Sequence, residues 1–351
     1  MFVFVQIGRS RKFKNVIMKR TYLFSMLIAF AAMLTATSAV AQNQITLTTS
    51  KAVGETIELE IKANGAFSVE GATLVEGKEY TIADANGKII LKGDITFLDC
   101  GSSMLTSLDV TKAPSLSELD CEENQLTSLD VTKNLLLSEL HCEENRISSL
   151  DVTKNVNLTD LNCSANQITL LNVVNNTELL ELHCSSNKLT SLDVTKNTKL
   201  EELWCFDNQL SQLDLSKNKQ LTELACSLNK IQGQSMDNLI ASLPVSTETD
   251  GEKSFLGVID NTTGKEGNIC TKKQVAAAKS KGWIPQEWKG DAGWIDYEGS
   301  SDVSIKEVLP EGEASVVAIY SVDGHRLSEL QPGVNIVRLN NGKTRKIFFA
   351  K

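Results

Sequence analysis

Seven cysteines recur at an interval of 21 residues, and this interval constrains the fold more than any other feature of the chain. They are Cys100, Cys121, Cys142, Cys163, Cys184, Cys205 and Cys226. The residues between them repeat as well, as the unit from Leu116 to Asn134 illustrates. A unit this short cannot bury an apolar face by itself, so it must stack on its neighbours. The spacing therefore predicts a solenoid with one coil per repeat.

Each repeat carries two pairs of apolar residues and two asparagines. Leu119 and Cys121 are two residues apart, so on a strand both side chains point into the core. Leu129 and Val131 have the same spacing on the return side of the coil. The asparagines form two ladders, whose amides we expect to bond backbone groups that would otherwise be buried and unsatisfied. The ladders are Asn124, Asn145, Asn166, Asn187, Asn208 and Asn229, and Asn134, Asn155, Asn176, Asn197 and Asn218.

Each unit resembles the leucine-rich repeat pattern L-x-x-L-x-L-x-x-N-x-L, with cysteine in place of the third leucine. One example is Leu116-Ser-Glu-Leu119-Asp-Cys121-Glu-Glu-Asn124-Gln-Leu126. The resemblance covers about residues 95 to 231 and recurs seven times. It implies a leucine-rich repeat solenoid of stacked short parallel strands with little helix. It also implies a ligand-binding or adhesive protein without inherited catalytic residues.

The segments around the repeats are predicted to close the solenoid and to extend the chain. An open solenoid end would expose its core, so caps are expected on both sides. The predicted division is 42–95 for a β-rich N-terminal cap, 96–231 for seven repeats, 232–298 for a mixed C-terminal cap and 299–351 for a small β tail module.

Hydrophobic patterns and turn residues predict the secondary structure of these flanking segments. Strands are predicted at 45–47, 57–61 and 89–91, and helices at 236–243 and 271–281. Asp323-Gly324 and Asn341-Gly342 predict two hairpin turns in the tail. The predicted C-terminal cap also contains three tryptophans within a dozen residues, which we interpret as packing or surface residues: Trp283, Trp288 and Trp294.

Residues 1–41 are predicted to be a signal peptide. Lys19 and Arg20 precede an apolar run, and Ala39-Val40-Ala41 has the small residues of a cleavage site. Met18 is the favoured true start, and an uncleaved membrane anchor is the alternative. We therefore expect export to the outer cell surface or the medium, with no membrane span after cleavage.

Two further resemblances concern export. Ile45-Thr-Leu-Thr-Thr-Ser-Lys51, the repeats and the segment that begins at Cys270 are similar to exported leucine-rich repeat proteins of the Bacteroidetes. The tail from Ile319 to Lys351 resembles the C-terminal sorting domains of type IX secretion. These resemblances imply a cell-surface or secreted protein.

Charge and motifs exclude several function classes. The net charge is −9, and Arg146 is the only arginine between Arg20 and Arg326, so nucleic acid is not an expected partner. The chain has no nucleophile elbow, H-E-x-x-H motif or phosphate loop, and we predict that it is not an enzyme. A polysaccharide-lyase-like solenoid, a glycan-binding protein and a passive surface spacer are the alternatives.

The candidate site lies on the positions that flank the leucine and cysteine of each strand. The residue before the leucine is acidic in six successive repeats, from Glu118 to Glu223. The face changes from carboxylates to aromatic residues near Trp204 and Phe206, and exposed aromatic residues are typical of binding surfaces. The alternative is that both aromatic residues shelter under the C-terminal cap. The predicted site for a protein or glycan ligand consists of His141, Glu181, His183, Glu202, Trp204 and Phe206.

No metal or cofactor is predicted. The cysteines are interpreted as buried core residues in preference to disulfides or metal ligands, because stacked thiols have poor disulfide geometry. His141 and His183 lie two repeats apart, too far to share one zinc ion. The glutamates at 122, 123, 143 and 144 could attract calcium, but a solvated acidic face is favoured.

Overall fold

The computed structural model describes residues 43–246 and 254–300 and several parts of the tail. The described tail residues are 316–321, 324–328, 330–331, 333–340 and 342–349. The predicted signal peptide lies outside the described residues. Among the helices that the structure describes, none is both long and apolar enough to cross a membrane.

The N-terminal segment is made entirely of strands, as its alternating apolar residues predict. Buried Ile45 and Leu47 alternate with half-buried threonines on the first strand. Gly71 has a φ of +82°, and a Cβ there would overlap the carbonyl oxygen of Lys88, so only glycine is accommodated. The strands are β1 (Gln44–Thr49), β2 (Thr56–Glu58), β3 (Glu60–Ala63), β4 (Ser68–Glu70), β5 (Ala72–Glu76), β6 (Glu79–Ile82) and β7 (Lys88–Lys92).

The repeats form one parallel strand each. Strand β9 (Leu105–Lys112) is an exception, since it belongs to the return side of the first repeat and pairs with β1. The repeat strands are β8 (Ile95–Asp99), β10 (Glu118–Asp120), β11 (Glu139–His141), β12 (Asp160–Asn162), β13 (Glu181–His183), β14 (Glu202–Trp204) and β15 (Glu223–Ala225).

The C-terminal cap mixes helices and strands. Its elements are α1 (Gln234–Ser242), β16 (Ser254–Asp260), α2 (Lys272–Ser280), β17 (Trp283–Trp288), a short 3-10 helix (Gly290–Ala292) and β18 (Trp294–Asp296). Both helices lie within two residues of the predicted bounds. Thr271 caps α2 by accepting from the backbone N–H of Gln274, whose side chain in turn accepts from the N–H of Thr271.

One long sheet runs through the molecule from cap to cap. Its strand order is β3-β8-β10-β11-β12-β13-β14-β15-β16-β17-β18, parallel from β8 to β17 and antiparallel at both edges. The other sheets of the N-terminal segment have the orders β4-β7-β1-β9 and β2-β6-β5. The leucines and cysteines of the repeats are buried in a continuous core. The predicted leucine-rich repeat solenoid is confirmed.

The tail forms a separate antiparallel sheet. Its strands are β19 (Val316–Tyr320), β20 (Arg326–Leu327), β21 (Gly333–Leu339) and β22 (Thr344–Phe349), in the order β20-β19-β21-β22. The β19–β20 and β21–β22 pairs lie where the two hairpin signals predict turns.

The first asparagine ladder bonds the backbone as expected. Asn166 donates to the carbonyl oxygens of Cys142, Cys163 and Ser164, and its amide oxygen accepts from the N–H of Ile147. Asn268 continues this ladder into the cap by accepting from the N–H of Ile231. The asparagines therefore satisfy turn groups that the stacking of coils would otherwise bury unpaired.

Aspartates on the return side hold tight turns. Asp130 accepts from both the backbone N–H and the hydroxyl of Thr132, at 2.9 and 2.7 Å. The fourth repeat has Asn172 at the equivalent position, and its amide oxygen accepts from the N–H of Val174 at 3.2 Å. The turn is preserved because an asparagine oxygen can replace the aspartate oxygen.

Candidate functional site

The open face of the sheet is defined by three outward positions of each repeat strand: before the core leucine, between leucine and cysteine, and after cysteine. On β13 and β14 the parallel register sets Glu181 opposite Glu202 and His183 opposite Trp204. The core side of the same strands is fully buried, with Leu182 at 0% exposure. Alternation along a strand thus places four of the six predicted site residues side by side.

The imidazole of His183 lies flat on the indole of Trp204. The ring centroids are 4.3 Å apart and the planes differ by 13°. His183 Nε2 also lies 2.9 Å from Glu202 Oε1. Two neighbours from β14 therefore fix the position of one imidazole ring.

Trp204 and Phe206 are both half-buried, so each keeps part of its surface accessible. Among the residues that the structure describes, the buried indole Nε1 of Trp204 has no hydrogen-bond partner. An unpaired buried donor costs about 1–3 kcal/mol. The pair is therefore less exposed than the sequence suggests, although the C-terminal cap does not bury either ring completely.

A second aromatic cluster lies further along the open face. Trp294 meets Phe255 edge-on with centroids 5.2 Å apart, and it meets Trp288 with centroids 5.5 Å apart. The Trp294 ring covers Gly257, where an added Cβ would come within 2.8 Å of it. Gly257 is the register partner of Ala225, which in turn pairs with Trp204. The second cluster thus lies on β16, β17 and β18, two to four strands beyond Trp204 on β14.

Sequence reasoning missed this second cluster because it ended the sheet with the last repeat. A signal was present. Phe255-Leu256-Gly257-Val258 has the same outward–core–outward–core alternation as Glu223-Leu-Ala-Cys226, and Leu256 is the register partner of Leu224. The interval is longer than 21 residues, so a search at fixed spacing does not find it.

His141, the remaining predicted site residue, lies two repeats from His183 and is held between two carboxylates. Its Nδ1 is 3.8 Å from Asp120 and its Nε2 is 3.2 Å from Asp160. Burial alone would lower the pKa of His141, but hydrogen bonds to Asp120 and Asp160 outweigh burial and raise that pKa to about 11. This imidazole is a cation at neutral pH, and it does not join the His183 cluster.

On the acidic face, Glu123 is exposed and Glu122 and Glu144 are half-exposed, and Glu143 alone departs from the predicted solvated face. One Glu143 oxygen is buried without a hydrogen-bond partner in the described part of the chain. Burial, with a hydrogen bond that protonated Glu143 donates to the neighbouring Glu122, raises the pKa of Glu143 to about 8. Glu143 is therefore mostly protonated at neutral pH, unlike an ordinary surface glutamate.

Glu181, His183 and Glu202 bring three potential metal-ligand atoms within 4.8 Å of one another. No metal is predicted from the sequence at these three residues. The only histidine-based site considered from the sequence is a zinc ion shared between His141 and His183. The register of β13 and β14 assembles a different set, which contains one imidazole and two carboxylates.

The cysteines are free and buried. All eight are reduced, including Cys270 in the cap. Burial raises the pKa of each thiol, so these groups stay protonated and weakly nucleophilic. Cys100 donates to the carbonyl oxygen of Asp120 in the next repeat, at 3.3 Å. The cysteine ladder is a core feature.

Comparison with solved structures finds similarity to leucine-rich repeat proteins. A leucine-rich repeat protein of Leptospira interrogans is 21% identical, with a TM-score of 0.41; the match covers 54% of this chain and 49% of that protein. Internalin C2 of Listeria monocytogenes is 19% identical, with a TM-score of 0.45 and coverage of 55% of this chain and 80% of internalin C2.

A third match is the functional domain of InlJ from Listeria monocytogenes, which is described as including a cysteine ladder. It is 19% identical, with a TM-score of 0.27, and the match covers 73% of this chain and 91% of that domain. No protein-family profile and no curated protein sequence matches the chain.

Proposed function

We propose that this protein is a non-catalytic binding protein that captures a protein partner on the open face of its solenoid. The observation that carries the proposal is the pair of aromatic clusters on this face, the His183–Trp204 stack and the Phe255–Trp294–Trp288 cluster, which the single strand β15 separates along the sheet. Partly accessible aromatic residues on a rigid sheet are typical binding hot spots, because they bury much area and lose little conformational freedom.

The charge of the same face supports a partner with basic groups. Acidic residues occupy the position before the leucine from Glu118 to Glu223, beside the aromatic surface. None of the three outward positions of the seven repeats carries lysine or arginine. Carboxylates around an aromatic centre favour the approach of a cationic partner and disfavour an anionic one.

The proposal is tested by binding to immobilised extracellular matrix proteins and to neutral and acidic glycans. We expect saturable retention of at least one protein without any product. Replacing Trp204 and Phe206 by serine should weaken that retention at least 10-fold, while circular dichroism shows that the variant stays folded at the assay temperature.

The matched control replaces Leu135 and Leu136 by serine. These side chains are apolar and about half exposed, but they lie outside the open face. Their replacement should leave retention unchanged. Equal loss in both double variants, or unchanged retention after loss of Trp204 and Phe206, contradicts the proposal. Turnover of an acidic glycan supports the lyase-like alternative, and no retention at all supports a passive spacer.

Export to the cell surface or the medium is part of the proposal and rests on the sequence. A short apolar run and a small-residue cleavage motif precede Gln42. Mass spectrometry of the protein from the producing cell should find a mature N-terminus at Gln42. An N-terminus at Met1 or Met18 on the exported protein contradicts the predicted cleavage.

A further inference from the structure

The open face carries a mixed cluster of metal-ligand atoms at the edge of its aromatic surface. Glu181 and His183 lie on β13, two residues apart and therefore on the same side of the strand. Glu202 on β14 is the register partner of Glu181. One oxygen from each glutamate and one nitrogen of His183 all lie within 4.8 Å of one another.

The surrounding charge favours a cation at this position. The acidic residues that precede the core leucine of each repeat lie directly opposite one another on adjacent parallel strands. Asp160 is opposite Glu181, and Glu181 is opposite Glu202. Like charges that face each other on adjacent strands, about 4.8 Å apart, destabilise a sheet. A divalent cation between Glu181 and Glu202 would replace this repulsion by attraction.

We propose that Glu181, His183 and Glu202 bind a divalent transition-metal ion, with zinc the best match to the ligand set. Imidazole nitrogen favours zinc over calcium and magnesium, which prefer sites made of oxygen alone. Three protein ligands leave a fourth tetrahedral position open toward the open face. With zinc bound, a water molecule or a group of the partner would complete the coordination.

Trp204 acts as a positioning residue for this site. Its ring is stacked on the imidazole at 4.3 Å and holds the ring while Nε2 faces Glu202 Oε1 at 2.9 Å. Groups that orient a metal ligand without touching the metal are a regular part of such sites. A metal bound at Nε2 therefore lies close enough to alter the fluorescence of Trp204.

The repeat supplies a matched control two coils away. Glu139, His141 and Asp160 occupy the same three positions on β11 and β12. There, however, both nitrogens of His141 face carboxylates, Asp120 at 3.8 Å and Asp160 at 3.2 Å. An imidazole held as a cation offers no lone pair to a metal, so this second set should not bind one.

Zinc titration of the full mature chain, treated first with a chelator, tests the proposal. We expect one equivalent of zinc per chain. The single variant His183→Ala should weaken zinc binding at least 100-fold. The double variant that combines E181Q with E202Q should weaken it by at least the same factor. His141→Ala should bind zinc as the parent does. Absence of binding, or equal loss in His141→Ala, overturns the proposal.

Cobalt substitution separates this site from the cysteine ladder. Cobalt bound by one imidazole and two carboxylates gives weak visible bands and no thiolate-to-cobalt charge-transfer band. It should also quench tryptophan fluorescence, and Trp204→Phe should remove most of the quenching while cobalt still binds. A thiolate band, or quenching that survives in Trp204→Phe, overturns the assignment. Neither measurement involves a partner, so failure here is distinct from failure of partner capture.

Discussion

The imidazole of His183 and the indole of Trp204 are stacked across two adjacent strands, with centroids 4.3 Å apart and an interplanar angle of 13°. Residues directly opposite each other on neighbouring strands are the basic unit of side-chain stabilisation in a sheet. The stack therefore links repeats five and six on the face that carries the aromatic surface.

We expect this stack to be measurable as a coupling free energy. In a double-mutant cycle of His183→Ala and Trp204→Ala, the coupling should be about 1 kcal/mol, the usual value for aromatic pairs beyond burial. The control cycle uses His141 and Asn162, which occupy the same positions two repeats earlier. Equal coupling in the two cycles would show that the stack adds nothing specific.

The stability of the protein should fall as the pH rises from 5 to 8.5. Glu143 has a pKa of about 8 in the fold against an ordinary 4.5, so it stabilises the fold below pH 4.5 and loses that contribution as the pH rises through 8. His141 has a raised pKa of about 11, so its contribution is complete below pH 6.5 and declines as the pH rises toward 11. Both groups change stability in the same direction.

Urea unfolding at pH 5, 7 and 8.5 under reducing conditions measures this dependence. Each group contributes a slope of at most about 1.4 kcal/mol per pH unit. Glu143→Gln should flatten the curve between pH 5 and 8, and His141→Gln should flatten it between pH 6.5 and 8.5. If both variants keep the slope of the parent, these two groups are not its source.

The first asparagine ladder should contribute more to stability than the second. Asn166 makes four hydrogen bonds to the backbone, whereas Asn155 makes two, both from its Nδ2. The Oδ1 of Asn155 is buried without a partner among the described residues. Removal of Asn166 leaves the N–H of Ile147 unpaired, which costs about 1–3 kcal/mol, and the three carbonyl oxygens that Asn166 bonds lose one donor but keep another.

We therefore expect Asn166→Ala to lower the free energy of unfolding by about 3 kcal/mol and Asn155→Ala by about 1–2 kcal/mol. Chemical unfolding of the two variants beside the parent provides the measurement. A larger loss for Asn155→Ala would reverse the expected order and contradict the accounting of hydrogen bonds.

The fixed period of the repeat explains how much of this structure was predictable. Once Leu119 and Cys121 are placed in the core, every outward position from Glu118 to Glu223 follows, and so do the asparagine ladders. The left-handed residue before each ladder asparagine was not predictable. Ala165 and Leu228 hold φ values of 52° and 54° there without being glycine, because the ladder hydrogen bonds of the stack impose the turn.

The unpredicted features arise where the period ends or where side chains from two repeats meet. Asn268 takes the next place in the ladder after Asn229, although the interval between them is longer than one repeat. The Glu181–His183–Glu202 cluster depends on parallel register between strands, and the buried state of Glu143 depends on its neighbours. Spacing along the chain describes one coil, whereas these properties belong to pairs of coils.

The cysteine ladder provides a last prediction, which tests the interpretation of its thiols as core groups. The eight cysteines are free and buried, and burial raises the pKa of their thiols. The thiolate is the reactive form of cysteine, so both access and ionisation oppose reaction in the folded protein. We expect almost no reaction with a thiol reagent under native conditions and eight reactive thiols after unfolding in denaturant.

The same titration after treatment with a reductant is the control, and it should give the same number. Fewer than six thiols before reduction and more after it would show disulfides between neighbouring repeats. Such bridges would require Cβ atoms to approach to about 3.8 Å, closer than the spacing of about 4.8 Å between in-register strands. Rapid reaction of the native protein would show instead that the core opens locally. The dependence of the reaction rate on denaturant concentration would then measure how much of the solenoid unfolds in that opening.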